Sequence, residues 1–281
     1  MRCGLIIEPP SSRGLARPPI RSQRLHLAGA ARRLFHYQDP KMPKPILVFD
    51  CETVLDHAAV ARAHRLDEND VVGAKAIIGE EFPPPPYHAL VCISALLAVY
   101  DDDRAWKVQE TRTFHAGILT EGQILESFFE LVSFTGPILV TYNGSSFDLP
   151  AVRSRAMLHR LQGLHLTLVS NYFHRFSENH IDLCDDFASF NNRNRVKLDE
   201  ICRILGVEGK VAGMNGARVG DLAASGDFAA IGRYCAGDVA ATYRLFLLRE
   251  SFHNRLTPEA LKASQDGLEA ALARDQGNGC A

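Results

Sequence analysis

The segment Pro45–Val54, PILVFDCETV, constrains the fold more than any other part of the chain. Its four consecutive apolar residues, Ile46 to Phe49, follow a proline and run directly into acidic residues. A short apolar run of this kind, bounded by polar residues, is typical of a buried strand. We therefore expect a strand from Ile46 to about Cys51, and we expect it to be the first and central strand of a sheet.

The next patterns predict partners for this strand. HALVCISALLAVY and AWKVQETRTF are separated by the acidic turn Asp101–Asp103, which predicts a hairpin. Thr120 can cap a helix, and ILVTYN from Ile138 predicts a further strand. Helical periods recur in EGQILESFFELVSF, FDLPAVRSRAMLHRL, KLDEICRILG and DFAAIGRYCAGDVAATYRLFLLRESF. The order favours an α/β fold, with one mixed β-sheet flanked by α-helices.

The charge distribution divides the chain into three regions. Residues 1–41 contain seven arginines and one lysine against two acids, while the whole chain has a net charge of −2. We expect residues 1–41 to be a disordered extension, which fits either a start assigned upstream of Met42 or a targeting segment. A single domain is expected over 42–256, with an insertion at about 57–86. A C-terminal helix and tail should occupy 257–281.

The first chemical motif is Asp50-Cys51-Glu52, at the end of the predicted strand. Residues i and i+2 of a strand point to the same face, so the two carboxylates converge while Cys51 faces away. Carboxylate oxygens are hard ligands that suit Mg²⁺ or Mn²⁺. The alternative interpretation is an exposed strand end with a capping aspartate, because strand ends are commonly polar.

The second motif, NGSSFD, runs from Asn143 to Asp148 after another predicted strand. Open α/β sheets place their ligands at the carboxyl ends of the strands, so Asp148 is expected to approach the first two acids. The alternative is a turn in which Asp148 caps the following helix. The two roles are compatible.

The third motif is Tyr234-Cys235-Ala236-Gly237-Asp238, within a predicted helix. Residues i and i+4 share a helix face, so Tyr234 and Asp238 can point into one cleft. The alternative is a tyrosine in the core beside an aspartate on the surface. The combination of three motifs in this order is far more specific than any one of them.

In this order the motifs D-x-E, N-x3-F-D and Y-x3-D resemble the three exonuclease motifs of the DEDDy superfamily. FPPPPYHALVCIS, TYNGSSFDLP, NHIDLCDDF, GMNG and YCAGDVAATYRLF are similar to segments of predicted stand-alone exonucleases related to the proofreading domains of family B DNA polymerases. The resemblance covers most of residues 46–248. It implies a ribonuclease H-like fold and a free-standing, metal-dependent 3′-to-5′ exonuclease.

The resemblance also implies roles for the five motif residues. Asp50, Glu52 and Asp238 would bind one divalent ion, Mg²⁺ or Mn²⁺, and Asp50 would bridge to a second ion that Asp148 supports. The phenol of Tyr234 would position the attacking water, because a reference pKa near 10 makes it a poor general base at neutral pH. Two such ions together activate water and stabilise the leaving 3′ oxygen of a phosphodiester.

Further residues are candidates for substrate binding. Thr53 and Asn143 can contact the terminal nucleotide or order the acids, and Phe147 can pack against a sugar, although a core position is favoured. Asp182 matches the family pattern, but it can equally cap a helix. A polar stretch with three cations can hold phosphates or can be a solvated loop; these cations are Arg193, Arg195 and Lys197.

The motifs do not separate DNA from RNA. We expect the 3′ ends of single-stranded DNA to be the substrate, while an RNA-trimming exonuclease of the ribonuclease D type and an inactive nucleic-acid-binding module remain alternatives. The seven cysteines include no C-x2-C pair, which disfavours a structural zinc site. No apolar run approaches the roughly 18 residues that span a bilayer. A cytoplasmic protein without membrane contact is therefore expected.

Overall fold

The computed structural model describes residues 44–163, 166–167, 170–209 and 218–278. Its sheet has five strands in the order β3-β2-β1-β4-β5. The β1–β2 and β2–β3 pairs are antiparallel, whereas β1–β4 and β4–β5 are parallel. The expected mixed α/β sheet is therefore confirmed. The strands are β1 (Ile46–Leu55), β2 (His88–Tyr100), β3 (Trp106–His115), β4 (Ile138–Thr141) and β5 (His180–Asp182).

Helices flank the sheet. A first pair forms the insertion after β1, which reaches β2 through a short 3-10 turn at Pro85–Tyr87. The α-helices are α1 (His57–His64), α2 (Val71–Ile78), α3 (Glu121–Thr135), α4 (Asp148–Leu158), α5 (Leu183–Phe187), α6 (Leu198–Leu205), α7 (Val219–Ser225), α8 (Phe228–Phe252) and α9 (Pro258–Asn278). A second 3-10 turn, at Asn192–Asn194, precedes α6.

β1 is the central strand, as expected, and Ile46 to Phe49 are at most 1% exposed. Ile46 and Val48 belong to the core cluster that includes residues of α8, whereas Phe49 packs against Phe128 of α3 at 4.8 Å between ring centroids. The alternation of a strand therefore directs Asp50 and Glu52 toward the α8 side of the sheet.

β1 extends beyond the expected end at Cys51, to Leu55. The polar end of the strand stays ordered because it pairs with β2 as far as Leu55 opposite His88. The register shifts after Glu52, where Val91 of β2 has no opposite residue. Such a bulge bends the ladder at the residues that carry the first motif.

β4 is short, and its pairing with β1 ends at Val48 opposite Val140. The chain then leaves the sheet and turns back over the end of β4. A side chain at Gly144 would lie within 2.5 Å of the Thr141 hydroxyl, so the close approach of this loop requires glycine. The departure of β4 creates the space beside β1 into which the NGSSFD loop and the start of α4 fit.

α3 begins as the sequence predicts. The Thr120 hydroxyl accepts a hydrogen bond from the Gln123 backbone, and the Gln123 side chain accepts one from the Thr120 backbone, which is a complete capping box. Gly136 ends the helix in the left-handed conformation, with φ of 54°. Five residues form the buried face toward the sheet: Ile124, Leu125, Phe128, Leu131 and Val132.

α8 and α9 cover the opposite face of the sheet. The Tyr243 hydroxyl donates to the Trp106 carbonyl at 3.2 Å, and the Trp106 backbone N–H donates to the Ser264 hydroxyl at 2.9 Å. Leu268 of α9 belongs to the same core cluster as Tyr243. The domain boundary at residue 256 stays a prediction. The predicted extension, residues 1–41, lies outside the described residues, as does the GMNG segment.

No helix within the described ranges is sufficiently long and apolar to cross a bilayer.

Candidate active site

Asp50 and Glu52 converge in the middle of β1, where α8 packs against the strand. One carboxylate oxygen from each acid and the sulfur of Cys235 lie within 4.8 Å of one another. The Cys235 thiol donates to the backbone carbonyl of Asp50 at 3.3 Å and to its Oδ2 at 3.5 Å. The third motif is therefore in direct contact with the first.

α8 places Tyr234 and Asp238 on either side of Cys235. Tyr234 is 3% exposed and packs with Val91, Val219 and Ile231 in one apolar cluster. Asp238 is 5% exposed, which differs from the surface position of the alternative interpretation. A buried carboxylate is costly unless hydrogen bonds or cations compensate it, so the burial of Asp238, one turn along α8 from Cys235, favours a function for it.

Asp148 is joined to β1 by a hydrogen bond. Its Oδ1 accepts from the Cys51 backbone N–H at 3.0 Å, at a level of β1 that lies beyond the pairing with β4. The Asp148 carboxylate thus accepts a backbone hydrogen bond from β1 at a position where β4 no longer pairs with that strand. Phe147 occupies the N-cap position of α4 and Asp148 is the first helical residue, so Asp148 is not the cap that the alternative interpretation requires.

The surroundings of these acids favour cation binding. Burial raises the pKa of Asp148 to about 6; the hydrogen bonds from Cys51 oppose this change, and the charge of Asp182 adds to it. Burial also raises the pKa of the Cys51 thiol, and the nearby carboxylates of Asp148 and Asp50 raise it further. Burial is the main cause of both shifts, and neighbouring carboxylates add to it; a bound divalent cation would stabilise the charged form of Asp148.

The NGSSFD loop is held by Asp182, at the end of β5. The backbone N–H groups of Asn143 and Ser145 donate to its two carboxylate oxygens at 2.8 and 2.9 Å. Asp182 also accepts from the Cys184 backbone at 3.0 Å and caps α5. These bonds stabilise Asn143 in a left-handed conformation, with φ of 68°. The capping alternative for Asp182 therefore matches its contacts.

Arg195 connects this loop to a buried aspartate. Its Nη1 donates to Asn143 Oδ1 and to the Ser146 hydroxyl, both at 2.9 Å, and its Nη2 pairs with Asp185. Arg175 binds the same Asp185 through two hydrogen bonds of 2.9 and 3.0 Å. Arg195 thus orders the loop, whereas the other two predicted phosphate-binding residues, Arg193 and Lys197, are exposed.

Thr53 and Phe147 belong to a small polar and aromatic cluster. The Thr53 hydroxyl lies 2.9 Å from His88 Nδ1, and the Phe147 ring packs 5.0 Å from His88 and 5.3 Å from Phe82. Phe147 is only half-buried, and Phe82 is 75% exposed. Phe147 therefore lies at the edge of the fold and not in the favoured core position; its aromatic neighbours are Phe82 of the insertion and His88, the first residue of β2.

The sequence matches a family described as predicted 3′–5′ exonucleases related to the exonuclease domain of PolB, over residues 80–280. The chain belongs to this family. The match includes Asp148, Tyr234 and Asp238, and it begins after the strand that carries Asp50 and Glu52. This membership assigns the chain to the predicted 3′–5′ exonucleases of the PolB-related type. Exonuclease domains of this kind use divalent metal ions.

Similar solved structures include the family B DNA polymerase of Pyrobaculum calidifontis, with 18% identity, a TM-score of 0.49, and coverage of 74% of this chain and 24% of the polymerase. Exonuclease I with the inhibitor BCBP has 13% identity, a TM-score of 0.44 and coverage of 79% and 44%. E. coli exonuclease I with a 5cy-dT13 oligonucleotide has 13% identity, a TM-score of 0.35 and coverage of 79% and 42%. The chain thus spans less than half of each. No curated protein sequence matches it.

Two features of this exonuclease site were not predicted from the sequence. The first is the position of Cys235, which is three residues before Asp238 and so shares a helix face with it. Helical spacing alone could have placed its thiol near the acids. The second is the contact of Phe82 and His88 with Phe147, which has no comparable signal because it depends on how the insertion folds back onto α4.

Proposed function

We propose that this exonuclease releases nucleotides from the 3′ ends of single-stranded DNA by a two-metal mechanism. The observation that carries the proposal is the convergence of Asp50 and Glu52 against α8, with ligand atoms within 4.8 Å of one another and of Cys235. Like charges at this distance repel, and divalent cations offset that repulsion.

Four carboxylates would hold the ions. We assign Asp50, Glu52 and Asp238 to one ion, and Asp50 with Asp148 to the other. Asp148 is suited to this role because a carboxylate offers about four acceptor positions, and the bond from Cys51 uses one of them. Two Mg²⁺ or Mn²⁺ ions supply an activated water and stabilise the leaving 3′ oxygen when bound.

Tyr234 would orient the attacking water. A tyrosine phenol has a reference pKa near 10, so this type of side chain can donate a hydrogen bond to water but is a poor base at neutral pH. The apolar cluster around Tyr234, with Val91 and Ile231, restricts the ring. A phenol held in one position can direct its hydrogen bond to one water molecule, which is the positioning role assigned to Tyr234.

The remaining predicted residues would hold the strand. Thr53, Asn143 and Phe147 lie on the segments that carry the acids and would contact the terminal nucleotide. Arg193 and Lys197 are exposed and can reach phosphates directly. Arg195 is bound to Asn143 and Ser146, so it would act mainly by fixing the shape of the loop.

Burial of the acids supports a single-stranded substrate. Glu52, Asp148 and Asp238 are 9%, 5% and 5% exposed. A scissile phosphate must enter a confined site to reach them. A flexible single strand enters such a site more readily than a duplex, which must first be unpaired at a cost in free energy.

The test is a time course with 5′-labelled single-stranded DNA and RNA of the same sequence, with Mg²⁺, with Mn²⁺ and with EDTA. We expect a metal-dependent ladder that shortens from the 3′ end, faster on DNA, and no ladder with Asp50→Ala. Equal ladders from wild type and Asp50→Ala would contradict the assigned site. Faster shortening of RNA would replace the DNA assignment with the RNA-trimming one.

A further inference from the structure

A second surface beside the site combines arginine and phenylalanine side chains. The guanidinium of Arg153, on α4, lies 4.9 Å from the centre of the Phe173 ring, and that of Arg175 lies 5.9 Å from the Phe190 ring. Phe176 packs against Phe190 at 5.2 Å between centroids. We call these five residues the arginine–phenylalanine surface.

The two outer rings of this surface are open to solvent. Phe176 is 67% exposed and Phe190 is 46% exposed. Phe190 also has a positive φ of 58°, a left-handed conformation that a bulky residue rarely adopts. Its backbone N–H donates to the Asp185 carbonyl at 2.8 Å, which stabilises the turn. The fold thus holds a strained backbone in a position where the ring faces outward, as strained residues at binding sites often do.

The surface is continuous with the NGSSFD loop. Asp185 pairs with both Arg175 and Arg195, and Arg195 donates to Ser146, two residues before Asp148. A pocket of about 170 Å³ lies between these parts. Its lining includes Ser145, Ser146, Arg153, Phe173 and Arg175. The pocket and the rings therefore extend outward from the start of α4, which carries Asp148.

The charge of the surface suits a polyanion. Arg153 and Arg175 contribute two positive charges beside the partly buried Arg195. The segment from Phe173 to Phe190 contains four acids. Asp182 accepts hydrogen bonds from backbone N–H groups, Asp185 is 1% exposed and paired with Arg175 and Arg195, Asp186 pairs with Arg249, and Glu178 is exposed. Three of these four carboxylates are therefore bound by donors of the chain itself, whereas Arg153 and Arg175 are exposed beside the aromatic rings.

We infer that the arginine–phenylalanine surface binds the nucleotides on the 5′ side of the scissile phosphodiester in a single strand. Phe176 and Phe190 stack with bases, and Arg153 and Arg175 contact phosphates. Exposed rings interleaved with cations are the features that bind single strands without sequence preference, whereas the bases of a duplex are stacked on each other and inaccessible. The inference rests on the proposed function, since a strand hydrolysed at its 3′ end must extend from the site in the 5′ direction.

The first test compares two substrates of different length. One is single-stranded DNA of about 20 nucleotides, longer than the surface can contact; the other is the p-nitrophenyl ester of thymidine 5′-monophosphate, which reaches only the site of hydrolysis. The variants are Phe176→Ala/Phe190→Ala and Arg153→Gln. Matched controls are Phe252→Ala and Arg274→Gln, which remove an exposed ring and an exposed guanidinium far along the chain.

We expect the double variant to lose specificity for the oligonucleotide over the ester by about 10-fold or more, because stacking contributes roughly 1–3 kcal/mol per base. The variant Phe176→Ala/Phe190→Trp should retain most of this specificity, because the tryptophan ring can still stack with a base. A change below about twofold relative to Phe252→Ala would overturn the inference, because such a loss is smaller than one stacked base provides.

The second test separates this inference from the proposed function. Fluorescence anisotropy of a labelled oligonucleotide in EDTA measures binding without hydrolysis. Weaker binding by the double variant supports the surface even if wild type hydrolyses neither substrate, a result that would refute only the proposed function. Equal binding by wild type and the double variant, with equal melting temperatures, would refute the surface.

Discussion

Two acidic clusters of this exonuclease use the same side chains in opposite ways. In the middle of β1, Asp50 and Glu52 converge on each other and on Cys235. Beneath the NGSSFD loop, Asp182 and Asp185 instead accept hydrogen bonds from backbone N–H groups and from arginines. The loop cluster thus stabilises the fold, whereas the β1 cluster places like charges together.

The difference shows how a structural acid can be distinguished from a functional one. A carboxylate that is saturated by donors from its own chain lowers the free energy of the folded state. Carboxylates that face one another raise it unless an external cation is bound. Neutralising an acid should therefore reduce stability in the loop cluster and reduce activity in the β1 cluster.

The largest effect is expected in the β1 cluster. Glu52→Gln keeps the size of the side chain but removes one ligand charge. We expect kcat to fall about a thousandfold, since metal-assisted stabilisation of several kcal/mol is lost. In metal-free buffer the melting temperature should stay equal or rise, because repulsion with Asp50 is relieved. Glu126→Gln, an exposed acid of α3, is the control. A lower melting temperature for Glu52→Gln would contradict the view that the β1 cluster does not stabilise the fold.

A smaller effect, on stability, is expected in the loop cluster. Asp185→Asn removes the charge shared by Arg175 and Arg195, and we expect the free energy of unfolding to fall by about 3 kcal/mol. The value of about 3 kcal/mol is at the lower end of the losses found for buried ion pairs, because the Arg175 side chain is 40% exposed. Unfolding in urea measures this loss. Asp199→Asn, which removes an exposed pair with Arg203 on α6, should change stability by less than about 1 kcal/mol.

If Asp185→Asn is as stable as Asp199→Asn, the loop cluster does not stabilise the fold and the proposed distinction between the clusters fails.

The smallest effect concerns pH. Burial alone raises the pKa of Asp185, but the hydrogen bonds from Arg175 and Arg195 outweigh it, so the pKa lies below the ordinary value of 3.8. A lowered pKa in the folded state adds stability above 3.8, and this stability is lost as the pH falls through the folded pKa. Wild type should therefore lose more stability than Asp185→Asn when the pH is lowered below 3.8. Parallel losses in the two proteins would contradict this.

Local sequence patterns predicted most of the fold. The apolar run of β1, the hairpin and the Thr120 cap of α3 are all found, because each is determined by neighbouring residues. β5 was not predicted, since a three-residue strand has no period, and β1 extends to Leu55 because it pairs with β2. Elements that depend on distant partners were therefore the ones that the sequence left open.

In the candidate site, too, features set by neighbouring residues were predictable and features that depend on distant partners were not. The spacing of Asp50 and Glu52, and of Tyr234 and Asp238, is sufficient to predict that each pair shares a face of its strand or helix. The contact of Asp148 with Cys51 could not be predicted, because it exists only where β4 leaves the sheet. The outward orientation of Phe190 likewise depends on a left-handed turn held by Asp185, which no short motif encodes.

The hydrogen bond between Asp148 and Cys51 joins residues 97 positions apart, and the contact of Cys235 with Asp50 joins residues 185 apart. Closing such long intervals costs chain entropy that local helices do not incur, so these contacts depend on the sheet and α8 being assembled together. During folding, helical structure can therefore appear well before the acids meet. Recovery of activity would then report completion of the whole fold, while recovery of helical signal would report only its beginning.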